Sequence, residues 1–134
     1  SLGRKRYSFF MSWSEDTSMV FVLFNVAESY RYIIKYGIFR LNRRSSASRS
    51  MPTSSKLFGE IFCLDVIFDF TKNDFKSKKY AVYKAIYIKN CKFFKSLDKF
   101  NIYYLKSTLK KLLSCPYISD DDKAKIKINF KQII

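Results

Sequence analysis

Histidine is absent from this chain of 134 residues, and glycine, proline and cysteine are scarce, at three, two and three. Without an imidazole the chain cannot build a Ser-His-Asp or Cys-His arrangement, and it lacks the commonest zinc ligand. The cysteines at 63, 91 and 115 are odd in number and widely spaced. That excludes a disulfide framework and a CxxC site, suits a reducing compartment, and leaves small buried hydrophobes as their expected role. Gly3, Gly37 and Gly59 stand alone, so no glycine-rich phosphate loop is present. Long apolar runs are missing too. The longest, Met19 to Phe24, is far short of the roughly twenty residues a membrane span needs. IFCLDVIFDF at 61–70 is interrupted by Asp65 and Asp69. The opening SLGRKRYSFFMSW has neither the apolar core nor the cleavage site of a signal peptide. A cytoplasmic protein is expected.

Apolar and basic residues are plentiful. Hydrophobic residues make up 48% and aromatics 19%, enough apolar surface to offset chain entropy and exclude disorder. The length suits one domain's worth of core, burying roughly two-thirds of the unfolded surface. Lys and Arg number 26 against 11 acids, a net charge of +15. All the arginines (4, 6, 31, 40, 43, 44 and 49) precede residue 50, and every later basic residue is Lys. The planar fork of Arg suits a specific anion contact, whereas Lys is a mobile point charge suited to general attraction. The alternative reading of the Lys excess is codon bias, since a chain this rich in Lys, Ile, Asn, Phe and Tyr resembles the product of an AT-rich genome.

Composition changes most sharply at NRRSSASRSMPTSSK, residues 42–56, which reads as an exposed loop. Before it, Ser14 caps a helix with Glu15 and Asp16 in its first turn. That helix runs to about Ser29, with Met19, Val20, Leu23, Phe24 and Ala27 on its apolar face. YRYIIKYGIFRL at 30–41 reads as a strand, a Gly37 bend and a second strand. After the loop the spacing predicts a helix over 54–70, with Leu57, Phe58, Ile61, Phe62 and Leu64 on a broad face. A second is striped by Tyr80, Tyr83, Tyr87, Cys91 and Phe94. A third carries Leu97, Asn101, Tyr104, Thr108 and Leu112 and stops at Pro116. Ser119-Asp120-Asp121-Asp122 resembles a capping box opening a last helix, although AKIKINFK at 124–131 also alternates like a strand. The class expected is mainly α with a small β hairpin.

Glu15-Asp16 after Trp13 is the most suggestive carboxylate pair, since a carboxylate at such a junction can serve as a general base in a cleft. The ordered series Glu15-Asp16, the helix to Ala27, Tyr36-Gly37-Ile38-Phe39-Arg40 and Ser46-Ala47-Ser48 resembles a recurring stretch of bacterial family 2 glycosyltransferases of the GT-A fold. The resemblance covers about residues 12–50. It implies that 1–50 is the end of a GT-A α/β catalytic domain and 51–134 a C-terminal helical appendage. Asp16 would be the catalytic base of an inverting transfer to a hydroxyl acceptor, in surface polysaccharide synthesis. Glu15 and Trp13 would bind the acceptor, Trp13 by stacking on a sugar ring. Arg40, Arg43 and Arg44 would face the donor's diphosphate.

The family's Asp-x-Asp metal motif and nucleotide-binding half are missing. No metal site is therefore assigned here, and a divalent Mg or Mn ion is expected in an absent N-terminal half. The chain does not begin with Met, and the resemblance makes it a fragment of a longer enzyme, inactive alone. Its partners would be a nucleotide-sugar and a glycan or lipid-linked acceptor, with peripheral contact to an anionic membrane on the cytoplasmic face.

Two other readings remain. Tyr80, Tyr83 and Tyr87 beside Lys79, Lys84 and Lys89 fit a small basic nucleic-acid-binding module with bases stacked on aromatics. At helical spacing the same stripe also fits a core covered at its edges by Lys stems, and no nucleic-acid motif is present, so nucleic acid is not the expected partner. The broad face at 57–68 fits a helical module that docks on another protein.

Overall fold

The computed structural model describes residues 18–20, 22, 23 and 52–134. Four α-helices carry most of the chain after residue 52: α1 (Thr53–Phe70), α2 (Phe75–Asn90), α3 (Lys99–Leu113) and α4 (Asp120–Asn129). A 3-10 turn, Lys92–Ser96, joins α2 to the segment before α3.

α1 starts directly after Pro52, whose carbonyl accepts from the Ser55 and Lys56 amides. The helix is the most apolar of the four and is buried on more than one side. Leu57, Ile61, Leu64 and Ile67 meet α2 and α3 in the common core, while Gly59, Cys63 and Val66 are also buried. α2 is capped by Asp74, whose carboxylate accepts from the Ser77 amide at 2.7 Å, and this bond holds the Asp74 carboxyl below its ordinary pKa. Its inward face is Ala81, Val82, Ala85 and Ile88, and the two alanines let the α1 and α2 backbones approach closely. α3 is capped in the same way by Asp98, which accepts from the Asn101 amide at 2.7 Å. It buries Leu105, Leu109 and Leu112 at spacings of four and three. Its last turn is closed by the Ser114 hydroxyl, which donates to the Lys110 carbonyl at 2.8 Å, just ahead of Pro116.

Ser119 caps α4, accepting from the Asp122 amide at 3.2 Å. Asp120 to Asp122 complement the helix dipole there. With that start fixed, 124–129 continues as helix and 130–131 as turn, rather than strand. Ile126 and Phe130, four residues apart, enter the core, and Phe130 meets Phe94 edge-on at 6.1 Å. α1 packs on α2, α3 and the 3-10 turn, while α4 packs on α2 and α3 alone. The α2–α3 pair therefore lies between α1 on one side and α4 on the other.

The expected mixed architecture is corrected. Helix accounts for 78% of the described residues and no strand occurs among them, so the GT-A α/β fold is not supported. The physical reason is visible throughout 53–130: apolar side chains recur at three and four residues, and each of α2, α3 and α4 starts at a side-chain cap. The hairpin expected at 30–41 lies outside the described residues. The expected apolar face of the first helix is also reversed where it is described. Ser18 and Val22 are buried, whereas Met19, Val20 and Leu23 are exposed. Ser18 shares a hydrogen bond with the Cys63 thiol, whose pKa burial raises above its ordinary value. No described helix is long and apolar enough to cross a membrane.

Candidate nucleic-acid interface

At 100° per residue, α2 has two opposed faces. The core-facing one holds Lys78, Ala81, Val82, Ala85 and Ile88. Lys76, Lys79, Tyr80, Tyr83 and Tyr87 occupy a sector of roughly 100° on the other side. The tyrosines are 49%, 58% and 54% exposed, so the stripe is an outer surface and not core. The cause lies in size and polarity. Small Ala81 and Ala85 fit the close contact with α1, and tyrosine hydroxyls are satisfied most cheaply by water. From Tyr80 to Tyr87 the stripe runs roughly 10 Å along the helix axis.

The lysines divide into two groups. Lys84 turns inward and pairs with Glu60, which is buried on α1, while its ammonium lies 4.6 Å from the centre of the Tyr87 ring. Lys89 lies over Phe94 at 4.6 Å. Lys78 is buried and donates to the Phe68 and Thr71 carbonyls at 2.5 and 3.1 Å. Burial lowers its pKa below the ordinary lysine range. Lys76 and Lys79 stay exposed among the tyrosines. Of the three lysines that the sequence sets beside the stripe, only Lys79 is an exposed one, and Lys76 joins it because 76, 80, 83 and 87 share a helix face. Lys76 was legible from that spacing; the burial of Lys78 and Lys84 was not.

The surface charge is more one-sided than the composition suggests. α2 and α3 together hold nine lysines and no acid. Six of the eight acids after residue 52 have internal work. Glu60 pairs with Lys84, Asp65 and Asp69 with Lys111, and Asp122 with Lys125, while Asp74 and Asp98 cap helices. The acids thus neutralise inward-turned or flanking lysines, and Lys76 and Lys79 give the outer α2 face a positive potential that Asp74, and Asp122 in the cleft it lines with both, temper at the N-terminal end.

A second polar cluster joins α1 to α3. The Tyr104 hydroxyl donates to Asp65 at 3.1 Å, and Lys111 donates to Asp65 at 2.5 Å and Asp69 at 3.4 Å. Burial, then the Asp65 charge and hydrogen bond, raise the Tyr104 pKa well above the usual phenol range. Burial alone lowers that of Lys111, but the hydrogen bond and charge of Asp65, with Asp69, outweigh it and the net shift is upward.

Trp13, Glu15, Asp16, Arg40, Arg43 and Arg44 lie outside the described residues, as do Ser46 to Ser48. Among the described residues no group of three or more side chains is placed to hold a metal ion. Cys63 and Cys115 are buried, Cys91 is half-buried, and all three are free thiols. No protein-family model, curated protein or solved structure matches the chain.

Proposed function

We propose that the chain binds single-stranded nucleic acid across the outer face of α2. The observation that carries this reading is the exposure of Tyr80, Tyr83 and Tyr87 in one sector with Lys76 and Lys79. A contiguous exposed aromatic stripe marks an interaction surface more often than a solvated face. Bases offer a π-face whatever their sequence, and stacking on an aromatic contributes about 1–3 kcal/mol per base. Duplex pairing hides those faces, so the chemistry selects unpaired strands. The stripe's length matches about three bases at about 3.4 Å each. Lys76 and Lys79 supply phosphate contacts that release counterions, adding affinity without sequence preference. A sugar-transfer role would rest on residues 12–50, and no described residue adds to it.

The test is fluorescence anisotropy with a labelled oligothymidylate. Each of Tyr80→Ala, Tyr83→Ala and Tyr87→Ala should weaken binding by about 5- to 150-fold. Replacing Lys76 and Lys79 together should lower the log–log salt slope by about 1.4. Tyrosine variants that bind like the parent would refute the reading. So would anionic lipid vesicles competing as well as unlabelled oligonucleotide at equal charge, since a leaflet offers no bases to stack.

A further inference from the structure

The end of the bundle where α1 gives way to α2 carries an open groove of about 480 Å³, lined by residues that include Phe68, Asp69, Asn73, Lys78 and Lys111. Its volume falls in the range of small-molecule sites. Two lysines are among its lining residues. Lys78 lies 4.5 Å and Lys111 5.7 Å from the centre of the same Phe68 ring.

An ammonium has three N–H donors. Lys78 directs two at the Phe68 and Thr71 carbonyls, and Lys111 directs two at Asp65 and Asp69. Each lysine therefore keeps one donor beyond these bonds, and the Asn73 amide lines the same groove. Asp69 is the only acid among the described lining residues, against two lysines. An oxyanion seated there would accept from both lysines. Phosphate suits lysine in particular, because lysine binds it as a point charge without the bidentate fork.

We propose that this groove binds a phosphoryl group between Lys78 and Lys111, independently of the α2 reading. The group is either that of a small phosphate ester or the terminal phosphate of a polynucleotide. Asp69 competes for Lys111 and sets the affinity.

The experiment is an amide NMR titration of the full chain with inorganic phosphate at constant ionic strength. Saturable shifts at Asn73, Lys111 and Ser114 are expected. Lys111→Gln should weaken binding about tenfold, the cost of one charge-assisted hydrogen bond. Because Lys78 also caps α1, its substitution risks unfolding, so Asp69→Asn serves as the second variant and should tighten binding. Asp121→Asn, on exposed α4, should leave it unchanged. Linear, non-saturating shifts overturn the proposal, as does equal tightening by Asp121→Asn, which would show general charge attraction. Displacement of phosphate by glycerol 3-phosphate identifies the small-ester source. Displacement only by a 5′-phosphorylated oligonucleotide, and not its 5′-hydroxyl form, identifies the polymeric one. Displacement by neither overturns the site.

Discussion

Lys84 on α2 and Glu60 on α1 form an ion pair whose side chains are only 13% and 6% exposed. Replacing Lys84 with Met keeps the apolar stem and removes the charge that Glu60 faces. Taking one partner from a buried pair costs about 3–5 kcal/mol, because the remaining carboxylate stays desolvated. Loss of the Lys84 contact with the Tyr87 ring adds about 0.5–1 kcal/mol. A domain of this size is stable by about 5–15 kcal/mol, so Lys84→Met should remove about a quarter or more of the total. Urea unfolding followed by circular dichroism reads this directly. With a slope near 2 kcal/mol per molar, the midpoint should fall by roughly 2 M. Combining it with Glu60→Met removes both desolvated charges and should recover most of the loss. At temperatures where the single variant is folded, oligonucleotide affinity should change less than in Tyr87→Ala, since the Tyr87 ring that Lys84 touches is still in place. A loss below about 1 kcal/mol, the value of an exposed pair, would refute the reasoning. So would a double variant whose loss is the sum of the two single ones.

The Tyr104 phenol keeps its proton in the folded state to higher pH than in the unfolded chain, where it ionises near 10. The folded state therefore binds more protons above that pH, and stability present at neutral pH should fall as pH rises past about 10. Discounted for partial burial, the slope is roughly 1 kcal/mol per pH unit. The raised Lys111 pKa acts in the same direction above about 10.5, and Tyr104→Phe should flatten the curve in alkaline thermal melts. Ser119→Ala removes the bond to the Asp122 amide and should cost about 1 kcal/mol in the same denaturation assay. Ser119→Gly should cost only a few tenths.

Local signals in the sequence were reliable where the cause was local. The 54–70 helix is observed as Thr53–Phe70, and the Ser119 cap and the stop before Pro116 follow from neighbouring residues. The second helix shows where locality fails. Two faces compete there, and the tyrosines at 80, 83 and 87 offer more surface to bury than Ala81, Val82 and Ala85. The core chose the small ones, because α2 must approach α1 closely. The partners of α1's carboxylates were equally hidden, since Lys84 and Lys111 are 24 and 46 residues from Glu60 and Asp65. The burial of Lys78 has a reason visible only in three dimensions. Thr71 ends α1 in an extended conformation, without the left-handed glycine that often closes a helix, and a lysine ten residues beyond Phe68 satisfies its carbonyl instead. The candidate interface was legible in its residues but not in its orientation, while the groove at the end of α1 had no sequence signature.

Those same sequence separations matter while the chain is being made. α1 is the most apolar helix described, and it leaves the ribosome before the lysines that neutralise it. Until residue 84 emerges Glu60 has no Lys84 to meet, and Asp65 waits for residue 111. Neither of these two ion pairs can form during that interval, so the contacts that tie the most apolar helix described to α2 and α3 through Glu60 and Asp65 become available one after the other, in the order of synthesis.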